Sequence, residues 1–210
     1  MKTIISFLLV FGFAASGSAE NKYLEAMTKA IEKQKSASTI EAFFESANTF
    51  ERISQIEKTE WLPLYYAAHC YIVVSFMEHD NAKKDAVLDK AQQFLDKAFQ
   101  IAPKESELFA LQAFLYPSRI TVDPMTRGME YIGKMNQALD EAIRLNPDNP
   151  RSYYLRAITV LNMPEGFGGG AASAKPIFEV AKQKFDSFQP KTSISPDWGK
   201  EQNELEMSKF

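Results

Sequence analysis

The chain has 210 residues, 24 Lys and Arg against 27 Asp and Glu, a formal net charge of −3 and a single cysteine. Mild acidity spread along the chain argues against a nucleic-acid partner, because phosphate binding needs concentrated Lys and Arg. One cysteine excludes an intramolecular disulfide, so packing must supply the stability.

The first residues, MKTIISFLLVFGFAASGSAE, have the pattern of an export signal: Lys2, an apolar stretch from Ile4 to Ala15, and the small residues Ser16-Gly17-Ser18-Ala19. Cleavage is expected after Ala19, leaving residues 20–210 as one domain of about 190 residues with a formal charge of −4. The apolar run is short for a span of roughly 20 residues, and no Cys follows it as a lipid-attachment site. The expected product is exported, periplasmic and not membrane-embedded.

Periodicity and Pro/Gly punctuation divide the remainder into nine helical segments. The first, 21–35, places Leu24, Met27, Ala30 and Ile31 on one face, and the second, about 40–57, buries Phe43, Phe44, Ala47, Phe50 and Ile53. The third runs from about 60 to 78 with Pro63 in its first turn, where the missing N–H costs little. Cys70 lies in its apolar run AAHCYIVV and reads as a buried small residue. After the charged break HDNAKK come helices at 83–101 and about 105–116. The two-proline stretch PSRITVDPMTRG reads as a connection to a helix at about 126–145. RSYYLRAITVLN forms the seventh helix, and MPEGFGGGAAS connects it to the eighth at about 172–187. A last short helix begins near Pro196-Asp197-Trp198, with Trp198 as an anchor that seals the open end of the stack.

Residues 88–105 (LDKAQQFLDKAFQIAPKE) and 132–149 (IGKMNQALDEAIRLNPDN) echo each other, sharing Lys90/Lys134, Gln93/Gln137, Leu95/Leu139, Asp96/Asp140, Ala98/Ala142 and Pro103/Pro147. A weaker third copy reads Ala174, Phe178, Ala181. Repeats of this kind mean stacked helix pairs, each burying its apolar face on the next. The pattern resembles the tetratricopeptide repeat, whose second helix carries a small residue, a large one, Ala and a closing Pro over a period of about 34 residues. That resemblance implies an all-α superhelix of stacked hairpins with a C-terminal capping helix. The spacing from Ala98 to Ala142 is 44 residues and from Ala142 to Ala181 is 39. The surplus falls in SRITVDPMTRG and MPEGFGGGAAS, and solenoid insertions often carry binding.

Candidate chemistry is sparse. Gly168-Gly169-Gly170 before the eighth helix reads either as an anion cradle or as a tight turn tucking Phe167 against the helices. His69 and His79 lack the i, i+4 spacing of a helical metal pair. No G-x-S-x-G elbow or acid–base pair stands out. The expectation is no enzyme, no cofactor and no metal. Tyr and Arg, which dominate recognition surfaces, cluster on the first helices of the pairs: Tyr65, Tyr66, Tyr116, Tyr153 and Tyr154, with Arg119, Arg127, Arg151 and Arg156 on or beside them.

Beyond the general repeat, EKTEWLPLYYAAHCYI (57–72), VDPMTRGMEY (122–131), NPDNPRSYYLRA (146–157), the FGGG segment (167–170) and PDWGKEQ (196–202) resemble a family of small exported tetratricopeptide-like proteins of Bacteroidetes with no established activity. A looser resemblance is to the periplasmic helical-repeat component of tripartite solute transporters. Two functions follow as expectations. The first is a scaffold binding a peptide or protein along its concave face through Tyr66, Tyr116, Arg119, Arg127, Arg151 and Tyr154, with Phe167, Gly168 and Gly169 in the neighbouring connection. The second is a small-ligand carrier with a deep pocket bordered by Phe167 and Arg119. The oligomeric state stays open.

Overall fold

A computed structural model describes residues 14–210, with side chains from residue 20 onward. Residues 1–13, which carry most of the expected export signal, lie outside the described residues. The described residues form α1 (Ala14–Lys35), α2 (Ile40–Ile56), α3 (Leu62–Met77), α4 (Asn81–Ile101), α5 (Ser106–Val122), α6 (Pro124–Leu145), α7 (Pro150–Asn162), a short 3-10 turn (Glu165–Phe167), α8 (Ala171–Ser187) and α9 (Lys200–Met207). None of these helices is long and apolar enough to cross a membrane.

Local chemistry starts most of them. Thr39, Asp80, Asp123 and Asn149 accept hydrogen bonds from the backbone N–H of Ala42, Lys83, Thr126 and Arg151, satisfying amides that the first turn leaves without a partner. Pro124 and Pro150 occupy the first turn, where no N–H is needed. Gly199, at φ 103°, starts α9 and donates its N–H to the Gln202 side chain.

The fold is an all-α superhelix of stacked hairpins. Within each hairpin α3 packs on α4, α5 on α6 and α7 on α8, and α9 caps α8. Across hairpins α3 meets α5 and α5 meets α7, while no comparable contact joins α4 to α6 or α6 to α8. The first helices therefore form the inner layer, and the second helices fan outward.

The repeated positions are the core of this arrangement. Ala91, Leu95 and Ala98, then Met135, Leu139 and Ala142, then Ala174, Phe178 and Ala181 are all buried. The alanines admit a neighbouring helix closely and the larger residues fill the layer between, as dense interior packing demands. A buried polar link closes one hairpin on the next: Ser106 donates to the Ala142 carbonyl at 2.8 Å, and the Asn149 side-chain amide donates to the Ser106 hydroxyl at 2.9 Å.

The first long connection is not a loop. α5 continues through Pro117 to Val122 and α6 begins at Pro124, so SRITVDPMTRG lengthens the hairpin by extending both helices. Pro117 removes one intrahelical donor, and tertiary contacts hold the continuation in place. Asp85 of α4 accepts from Arg127 Nη1 and Nη2 at 2.7 and 2.8 Å and from Arg119 at 2.7 Å. Arg119 also reaches Asp89, and the Asn81 side chain donates to the Val122 carbonyl at 3.1 Å. The two guanidinium groups, led by the hydrogen bonds of Arg127, hold the Asp85 carboxyl below the usual range.

Candidate ligand-binding site

The inner layer is already occupied at one end by the chain itself. Between α8 and α9, residues 188–199 run back across α3, α5 and α7. The Tyr66 hydroxyl donates to the Ile194 carbonyl at 3.0 Å, and the Trp198 indole N–H donates to the Tyr65 hydroxyl at 2.7 Å. Lys35 pairs with Asp197 at 2.5 Å. Ile194 and Pro196 are buried. Trp198 stacks on Phe114 and lies over His69, in the middle of the inner layer, so it does not seal the open end of the stack.

Arg151 is the polar centre of this crossing. Its side chain is fully buried and holds Glu107 through two bonds, Nε to Oε2 at 2.6 Å and Nη2 to Oε1 at 2.5 Å. Its guanidinium lies 4.7 Å from the Phe188 ring centroid and also donates to the Trp198 carbonyl at 3.4 Å. A space of about 540 Å³ beside it is bordered by Glu105, Glu107, Asp148 and, from the crossing segment, Phe188, Gln189, Lys191, Ser195 and Pro196. Its acids already have cations: Glu107 has Arg151, Asp148 has Lys184 and Glu105 has Lys191.

The opposite end of the inner layer is open and has a different character. A cavity of about 650 Å³ lies where α3, α5, α6 and α7 converge, within the range of roughly 300–1,000 Å³ typical of small-molecule sites. Phe76 of α3 and Ala113, Phe114, Pro117, Ile120 and Thr121 of α5 form one wall. Ile132 and Met135 of α6 form the floor, and Tyr154, Leu155, Ile158, Thr159 and Asn162 of α7 face them, with Met163 and Pro164 at the edge. No lining side chain carries a formal charge. Pro117 lacks the N–H that would bond the Ala113 carbonyl, and both residues line this wall.

The polar groups of the cavity are few and placed. The Thr159 hydroxyl contacts Met135 Sδ at 3.4 Å and donates to the Leu155 carbonyl at 2.8 Å. Burial, with a smaller contribution from Glu206, pushes the Tyr154 phenol up to about 12, so it stays protonated and available as a donor. Phe76 and Phe114 lie with ring centroids 5.3 Å apart, and Phe114 continues to Trp198 at 5.3 Å. An aromatic run thus joins the cavity wall to the crossing segment.

Of the residues expected to form a binding surface, Tyr154 lines this cavity. Tyr66 is in the core, stacked on Phe50 at 5.1 Å. Tyr116 is half-buried against Tyr131. Arg119 and Arg127 are engaged by Asp85 as described, and Arg151 is engaged by Glu107, so none of the three is a free cation. Phe167 is 81% exposed and neither it nor Arg119 borders the cavity, which corrects the expected position of the pocket.

The glycine run is a turn. The N–H groups of Gly168, Gly169 and Gly170 donate to the carbonyls of Glu165, Pro164 and Val160, leaving none for an anion. At Gly169 a Cβ would stand 2.0 Å from the Met163 carbonyl oxygen, and Gly168 and Gly170 have φ of 83° and 88°. This close approach holds Met163 and Pro164 at the cavity edge.

The cavity residues missed from sequence had a partial signal. Met125, Met129, Ile132 and Met135 recur at i, i+4, i+7 and i+10, an apolar stripe on α6 that begins in the stretch read as a loop. Met125 and Met129 are 94% and 88% exposed. The stripe runs from solvent into the cavity floor.

Neither a protein-family model nor any curated protein matches the chain. Among solved structures, the chain is similar to the HusA haemophore from Porphyromonas gingivalis, at 29% sequence identity and a TM-score of 0.80, over 88% of this chain and 90% of that one. The neighbour is by its description a carrier of a small ligand. This likeness overturns the expectation of a peptide- or protein-binding scaffold, and the physical reason is visible: residues 188–199 of the same chain cover the part of the inner curve where Tyr66 and Arg151 were expected to meet a partner.

Proposed function

We propose that this chain is an exported, non-enzymatic carrier of a flat, largely apolar ligand of the porphyrin class, bound in the cavity between α5, α6 and α7. The observation that carries the reading is an uncharged cavity of about 650 Å³ on a chain similar over nearly its whole length to a haemophore. Export rests on the pattern of residues 1–19.

The lining suits a macrocycle. Phe76, Phe114 and Tyr154 supply ring faces, and Ile120, Ile132, Leu155 and Ile158 supply apolar area whose removal from water favours binding at roughly 25 cal/mol per Å². The residue types that ligate haem iron are His, Cys, Met and Tyr. Here Met135, Met163 and Tyr154 line the cavity, whereas His69 and Cys70 are buried in α3 outside the lining, His69 packed against Phe114 with centroids 6.0 Å apart. Met135 Sδ is already contacted by the Thr159 hydroxyl and burial keeps the Tyr154 phenol protonated, which disfavours an iron–phenolate bond, so this reading assigns recognition to the ring more than to the iron.

Absorbance titration of the signal-free protein with haemin and with metal-free protoporphyrin IX tests this. Both are expected to bind with affinities within about tenfold of each other, a difference of ~1.4 kcal/mol. Ile158→Glu, which places a carboxylate in the uncharged cavity, is expected to abolish binding of both. Absence of saturable binding, or binding unaffected by Ile158→Glu in a folded variant, contradicts the reading.

A further inference from the structure

We propose that Lys84, held in place by the Thr121 hydroxyl, anchors a carboxylate of the cargo at the rim of the cavity, so that the cargo is an apolar ring bearing acidic side arms. The inference rests on the carrier reading above and goes beyond it in assigning a polar subsite and a ligand class.

Thr121 is an exposed polar residue of the cavity wall. Its hydroxyl donates to the Ser118 carbonyl at 2.8 Å, so its oxygen is an acceptor, and Lys84 Nζ donates to it at 3.3 Å. The ammonium is thereby placed at the mouth. An ammonium has three donors and no acceptor, and Thr121 takes one.

The neighbouring cations are already engaged. Asp85 holds Arg119 and Arg127 on the same hairpin tip. Among the described residues, no carboxylate lies within ion-pair distance of Lys84 Nζ, although sixteen such pairs occur elsewhere in the chain. Inside the cavity no cation is available at all. A ligand carboxylate would lose hydration there without compensation, whereas at the rim it meets solvent and the Lys84 ammonium while its ring stays in the apolar space. An amphipathic ligand with its acids at one edge matches this division.

The test compares protoporphyrin IX, with two free carboxylates, and its dimethyl ester on the signal-free protein at low ionic strength. Wild type is expected to bind the free acid more tightly than the ester by about tenfold, the order expected of a charge-assisted hydrogen bond at a partly solvated rim. Lys84→Met, which keeps the apolar stem, is expected to weaken the acid by the same factor, to leave the ester unchanged and to remove the salt dependence. Lys84→Glu is expected to reverse the preference. Lys83→Met, one residue away on the same exposed turn, is expected to retain it. An acid preference that survives Lys84→Met, or wild type that binds acid and ester equally, overturns the anchor while the carrier reading stands. Failure of wild type to bind either compound overturns both.

Discussion

Trp198 lies nearly parallel to Phe114, with ring centroids 5.3 Å apart and planes inclined by 29°. Phe114 is part of the wall of the uncharged cavity, and Trp198 belongs to the segment that crosses the inner layer. The two regions therefore share one aromatic contact, and the crossing segment supports the wall from behind.

Trp198→Ala removes that support, the contact with His69 and the bond to the Tyr65 hydroxyl. The expected cost is about 3 kcal/mol in urea unfolding, with weaker porphyrin binding. Trp198→Phe keeps a stacked ring but loses the indole donor, at about 1 kcal/mol. Equal costs for the two variants would show that stacking contributes nothing.

The Arg151–Glu107 pair is buried and bidentate, so breaking it from one side leaves an uncompensated charge. Arg151→Leu alone is expected to cost about 3–5 kcal/mol. Arg151→Leu with Glu107→Leu is expected to recover much of that loss, because no charge is then stranded. A double variant as unstable as the sum of the single ones argues against this account.

His69 provides a pH dependence with a definite sign. Burial pushes its imidazole down from 6.5 to about 4, and Nδ1 faces the Gln34 side-chain amide at 2.9 Å. Above pH 6.5 the group is neutral in both folded and unfolded chains and contributes no slope. As pH falls from 6.5 towards 4, only the unfolded chain takes up the proton, so stability declines by up to ~3 kcal/mol and this contribution then levels off. His69→Gln is expected to flatten the decline over that window when unfolding is followed by circular dichroism.

Gly169→Ala tests the turn that holds the cavity edge. The added methyl group would meet the Met163 carbonyl oxygen and Cβ atom, neither of which is a flexible chain end. A loss of about 2 kcal/mol and weaker porphyrin binding are expected, whereas Gly166→Ala, where a Cβ meets nothing within 4 Å, is expected to be mild. The two variants are compared by thermal melting and titration.

The helices were legible because they are local. Ala91–Leu95–Ala98 and its two echoes recur at helical spacing. Pro117 and the two-proline stretch misled for the same reason. Locally they break a helix, and contacts from residues of α4 such as Asp85 and Asn81, more than thirty residues away, hold α5 and α6 through it. The arginines and tyrosines were identifiable as a group, but nothing near them in the chain tells which are consumed. Arg151 finds Glu107 at a separation of 44 residues, and Tyr66 finds Ile194 at 128.

By itself, the sequence determined an all-α stack of hairpins and its repeated core positions, because apolar periodicity acts within a few residues. The tertiary structure alone decided that residues 188–199 fill one end of the inner layer and that the other end remains an uncharged cavity. Such a cavity is what remains where helices distant in sequence converge without filling the space between them, and no local pattern encodes that remainder.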